Sequence, residues 1–93
     1  MRIKLLLFDG GTSVEVGDDD WIGAIAYRDL PDGRVWTESC SSKKALIKAL
    51  SNGMMLYLSR GVREFNIDSR VVAEVKVIED GKESTLWRRA TQG

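Results

Sequence analysis

The sequence predicts an α+β fold: one long helix packed on a mostly antiparallel sheet, in the order β-β-β-α-β followed by a β-hairpin. Three observations carry this. Short apolar segments with β-branched or alternating character recur between glycine-rich turns, one stretch alone has a sustained helical period, and Asp80-Gly81 sits between two β-rich runs. Ninety-three residues suit a single domain spanning 1–93. A chain of this size buries roughly 60–65% of its unfolded surface, which is one modest core.

The first strand is expected over Arg2 to Phe8, and the continuous run Leu5-Leu6-Leu7-Phe8 reads as covered on both faces, hence central in its sheet. A turn-rich connection follows over residues 10–20, with a short extended piece at Val14 to Val16. In "WIGAIAYR" the period of two puts Trp21, Gly23, Ile25 and Tyr27 on one face and Ile22, Ala24 and Ala26 on the other. "LPDGR" supplies a hairpin turn, with Pro31 fixing φ and Gly33 accepting a positive one, and "RVWTES" returns as the third strand.

The helix is expected from about Ser42 to Arg60. Leu46, Ile47, Leu50, Met54, Tyr57 and Leu58 form one stripe, a serine among Ser39, Ser41 and Ser42 caps the start, and Gly61 sits where a left-handed C-cap belongs. Asn52-Gly53 is the weak point, since an interior glycine costs about 1 kcal/mol relative to alanine. A break there is one reading; because the stripe resumes in phase, the preferred one is a continuous helix with Gly53 against the sheet. "VREFNI" reads as the fourth strand. "VVAEVKVIEDGKESTLWRR" reads as a hairpin about Asp80-Gly81, with a helix over Ser69 to Glu79 as the competing reading, disfavoured by its valines.

Composition narrows the chemistry. Fourteen basic residues balance fourteen acidic ones, so any charged partner must be met by a local patch. With no histidine there is neither a Ser-His nor a Cys-His nucleophilic pair, and one cysteine provides no internal disulfide and no zinc site. No glycine-rich phosphate-binding motif is present. The lone cysteine, together with the lack of a cleavage signal or a membrane-spanning apolar run, points to the cytosol.

The order of these elements and several residues resemble the first half of the ribonuclease H-like family, over about residues 3 to 72. The residues that carry the resemblance are "LLLFDGG", the glycine-rich connection, "GAIAYR", the helix opened by "SSKK", and "FNIDSRVV". The resemblance implies that Asp9 and Asp68 lie at the ends of adjacent strands as metal-binding carboxylates for Mg²⁺, supporting binding of nucleic acid. The family's glutamate in the first helical turns has no counterpart in "KKALIKAL", and Thr85 stands where its last aspartate would be sought.

Each feature also has a plainer reading. Asp9 and Asp68 suit turn formers or caps whose carboxylates bond nearby amides. "GDDDW", carrying Asp18, Asp19 and Asp20, reads as an extended acidic segment, either a solvated loop or a surface for a basic partner or groove. Lys43, Lys44 and Lys48, and separately Arg60, Arg63, Arg70, Arg88 and Arg89, form candidate basic patches. Trp36, Trp87, Arg88 and Arg89 make a candidate interface, and Cys40 suits a small buried hydrophobe better than an activated thiol. The leading expectation is a small cytosolic, non-enzymatic module binding a protein partner without a cofactor, with homodimerisation through a strand edge as an option; size and lack of motifs suggest phage or mobile-element origin. The alternative is a reduced ribonuclease H-like protein that binds nucleic acid or Mg²⁺ through Asp9 and Asp68.

Overall fold

The computed structural model describes residues 2–27 and 36–89. It has two antiparallel four-stranded sheets and one α-helix, in agreement with the expected α+β class. The strands are β1 (Arg2–Leu7), β2 (Ser13–Val16), β3 (Trp21–Tyr27) and β4 (Trp36–Ser39), then, after α1 (Lys43–Ser51), β5 (Met55–Arg60), β6 (Arg63–Asp68), β7 (Val72–Glu79) and β8 (Lys82–Arg88). One sheet has the order β2-β1-β7-β8, the other β4-β3-β5-β6. A 3₁₀ turn at Ser69–Val71 carries the chain from β6 in the second sheet to β7 in the first.

One apolar cluster joins both sheets and the helix. Ile3, Leu5, Val16, Val75 and Val77 come from the first sheet, Ile22, Ala24, Leu56 and Leu58 from the second, and Leu46, Ala49 and Leu50 from α1. β1 is central, as expected, between β2 and β7. It is not covered on both faces. Ile3 and Leu5 are buried, Lys4, Leu6 and Leu7 are half-buried, and Phe8 lies beyond the strand end, exposed. An apolar run therefore marked a central strand, but only alternate side chains reach the core.

The helix departs most from expectation. Ser42 caps its start by accepting a hydrogen bond from the Ala45 amide at 3.1 Å. It ends at Ser51, not near Arg60. Gly53 has φ +65°, its N–H donates to Leu50 O at 3.2 Å, and the Met54 N–H donates to Ala49 O at 3.1 Å. That pair of bonds is a Schellman stop, which satisfies terminal carbonyls and turns the chain out of the helix. Met55–Arg60 is then a strand in which Leu56 and Leu58 point inward. The helical spacing of Met54, Tyr57 and Leu58 is coincidental.

The hairpin at Asp80-Gly81 forms as expected between β7 and β8. Both turn residues have positive φ, 52° and 75°, as a type I′ turn requires. The turn expected at Leu30 to Arg34 lies outside the described residues.

The outer faces of the two sheets differ in chemistry. On the first, Lys4 and Lys76 flank Glu83 at 3.9 Å each, and Glu74 accepts from Arg88 at 2.8 Å. On the second, Trp21 meets Tyr57 edge-on, with ring centroids 5.7 Å apart. Gly23 lies beneath the indole: a Cβ there would fall 2.2 Å from Trp21 Cη2 and 2.7 Å from the Glu38 carbonyl oxygen.

Candidate functional site

The end of β1 and the 3₁₀ turn are joined by a backbone bond from Phe8 N–H to Val71 O at 3.0 Å. This brings Leu7, Phe8, Asp9, Arg70 and Val71 around one open groove of about 570 Å³. Phe8 is 52% exposed and Val71 46%, so two large apolar side chains share one accessible spot. A carboxylate and a guanidinium flank them.

Local chemistry fixes both charged groups. Asp9 begins the reversal into β2, which Gly10 permits with φ +85°. Its carboxylate accepts from the amides of Gly11 at 3.2 Å and Thr12 at 2.8 Å, closing an Asx turn. Bonds from the Thr12 side chain, then from the two amides, hold its pKa below the ordinary carboxylate range. Asp68 caps the 3₁₀ turn by accepting from the Arg70 amide at 3.0 Å. The same carboxylate pairs with the Arg70 guanidinium, both oxygens taking part, at 2.7–3.1 Å. These contacts, the Arg70 side chain foremost, lower its pKa to about 2.

The sign of the resulting pH dependence is definite. A carboxylate with a depressed folded pKa contributes stability above its unfolded value, here 3.8, and loses it as pH falls through about 2. Asp68→Asn should therefore flatten the acid limb of a urea-midpoint profile between roughly pH 4 and pH 2. An unchanged limb would mean that Arg70 does not hold the carboxylate in solution.

The strand neighbours differ from those implied for two metal-binding aspartates. β1 pairs with β2 and β7, while β6 pairs with β5 in the other sheet, so the strands preceding Asp9 and Asp68 are not adjacent. The reason is the 3₁₀ turn, which moves the chain between sheets and makes β7 the partner of β1. Among the described residues no three Asp, Glu or Cys side chains are grouped to hold a metal ion.

The remaining candidates are placed as follows. Residues 17–20 form a turn, closed by Asp20 N–H to Gly17 O at 3.2 Å, in place of the extended acidic segment expected. Asp18 and Asp19 are exposed, whereas Asp20 accepts from Gly17 N–H at 2.9 Å and Arg60 Nε at 3.1 Å. Arg60 also donates to the Glu15 carbonyl, and Lys43 pairs with Glu79 at 2.6 Å. Trp87 packs half-buried on the core, with the Arg89 guanidinium 4.8 Å over its ring. Arg89 donates to Ser69 O and Val72 O, and Arg88 is held by Glu74. Trp36 opens β4 opposite Tyr27, and its side chain lies outside the described set. Cys40 is buried, and burial raises its thiol pKa, so it is a core residue.

Phe8 and Val71 were not legible as site residues. A signal existed for each: Phe8 ends an apolar run immediately before Asp-Gly-Gly, and the Val71-Val72 pair interrupts strict alternation.

Fold and groove together define a two-sheet α+β domain with an apolar surface concavity. Comparison of the chain with protein-family models, with curated proteins and with solved structures finds no match. No helix among the described residues is long and apolar enough to cross a membrane.

Proposed function

We propose that this chain is a small, non-enzymatic protein-binding module that engages its partner through the groove between Leu7–Asp9 and Arg70–Val71. The observation that carries the reading is the juxtaposition of Phe8 and Val71, both exposed and locked together by a main-chain hydrogen bond. Exposed apolar side chains that share a rigid concavity are the usual anchors of a protein interface. Covering the accessible part of a phenylalanine contributes on the order of 1–2 kcal/mol to association, about tenfold or more in affinity. Asp9 and Arg70 stand beside the anchors, oriented by their own hydrogen bonds, and set the polarity of the segment that fits there.

Affinity capture from the chain's own host extract tests this with two variants of retained circular dichroism. Phe8→Glu should lose the captured protein, and a variant with Asp18, Asp19 and Asp20 changed to Asn should keep it. Retention by Phe8→Glu, or loss with the acidic-turn variant, overturns the assignment of the groove. NMR spectra recorded with added Mg²⁺ separate the alternative: selective shifts confined to Asp9 and Asp68 would replace this reading with a cation- or nucleic-acid-binding one. A cation bound there would compete with Arg70, which donates to both oxygens of Asp68.

A further inference from the structure

Each sheet has two edges, and three of the four edge strands are shielded. β2 has four residues, and the carbonyl of its Glu15 is taken by Arg60. β4 also has four, and its register with β3 shifts between Ile25 and Tyr27. β8 is longer, but its register with β7 breaks between Val75 and Lys76. Short length, bulges and covering elements are the ordinary defences of a sheet edge.

β6 has none of these. Its six residues pair with β5 in an unbroken register from Arg63 to Asp68. Among the described residues nothing bonds to the backbone of its outer side. Phe65 is 42% exposed, and Val62, in the hairpin turn beside it, is fully exposed.

We infer that β6 is a self-association edge, pairing antiparallel with β6 of a second copy about a two-fold axis through Phe65. The occupant follows from symmetry and charge. A two-fold axis normal to the sheet places residues of like parity opposite one another. Centred on Glu64, it sets two copies of Glu64 face to face; centred on Asn66, it sets Glu64 opposite Asp68. Both registers oppose like charges. Centred on Phe65, it sets the two copies of Phe65 together, with Glu64 opposite Asn66, Arg63 opposite Ile67 and Val62 opposite Asp68. No like charges meet. The product is a continuous eight-stranded sheet in which the phenylalanines cover each other's exposed area. The dimer centre at Phe65 lies away from Phe8 and Val71, and the two surfaces meet only at Asp68, which holds Arg70 of the groove, so variants at Phe8 and at Phe65 test the two assignments separately.

Sedimentation velocity over a concentration series tests the inference. A pairing built on one strand and one aromatic pair should appear as a concentration-dependent dimer. Phe65→Lys should shift it to monomer by at least about tenfold in concentration, since two lysines would then oppose each other. Oxidative cross-linking fixes the register. With Cys40 replaced by alanine, Phe65→Cys should give a covalent dimer, because opposed Cα atoms lie about 4.5–5.5 Å apart, within disulfide reach. Glu64→Cys should not. A species that stays monomeric up to about 1 mM, a dimer indifferent to Phe65→Lys, or equal cross-linking at positions 64 and 65 would each overturn it.

Discussion

Replacing Gly23 by alanine should destabilise the protein by about 2–3 kcal/mol, near the upper end of overpacking penalties. For a domain of this length that lowers the melting temperature by roughly 10–20 °C. The added methyl would meet the Trp21 ring at 2.2 Å and the Glu38 carbonyl at 2.7 Å. The indole can swing away, but only by leaving Tyr57 and the sheet face. The carbonyl belongs to β4, where Glu38 is paired with Ala24, and cannot retreat without loosening the β3–β4 ladder. A cycle with Trp21→Ala separates the two contributions: without the indole the penalty should shrink yet persist, because the carbonyl remains. Wild-type melting of Gly23→Ala would show that neither the Trp21 ring nor the Glu38 carbonyl crowds Gly23.

Some of this architecture is written locally and some is not. The Asp80-Gly81 hairpin, the Ser42 cap and the central position of β1 each depend on a few neighbouring residues, and the sequence shows them. The end of the helix depends on a contest between two periods. Leu50, Met54, Tyr57 and Leu58 satisfy a spacing of 3.6, while Leu56 and Leu58 satisfy a spacing of two. What decides is Gly53 in the left-handed region, whose Schellman bonds outweigh continuation of the helix. The division into two sheets was hidden for a related reason. The chain crosses between sheets twice, at residues 17–20 and at Ser69–Val71, and the aspartate capping the second crossing resembles a metal ligand in sequence. Acidic residues attract attention in a chain without histidine, yet Asp9 and Asp68 are both bound to local donors. The exposure of Phe8 and Val71 arises only when β1 and the 3₁₀ turn meet, and no pattern of period two or 3.6 contains that meeting.

The second large effect is expected at Leu56. Truncation to alanine should cost about 3–4 kcal/mol, within the range for buried leucines that leave a cavity. Leu56 has no exposed surface and sits in the middle strand of a register that runs Ala24, Leu56, Ile67. Its flanking strands are fixed by their own ladders, so collapse around the lost atoms is limited. A domain of this length has a total stability of roughly 5–14 kcal/mol, so a melting temperature lower by about 12 °C or more should be plain in a thermal scan. The same experiment decides between strand and helix for this segment. Were the helix continuous to Arg60, the stripe of Met54, Tyr57 and Leu58 would face the core and Leu56 would lie off it, so that its truncation would cost little and that of Tyr57 a great deal. In β5 the order is reversed: Leu56 is buried, and Tyr57 stands on the outer face with its hydroxyl bonded to Glu64. Leu56→Met should be mild because volume is conserved, and Val62→Ser should change the stability of the single chain little because Val62 is fully exposed within it. A Leu56→Ala variant that melts like wild type, beside a crippled Tyr57→Ala, would reverse the faces of the strand and with them the seat of the core.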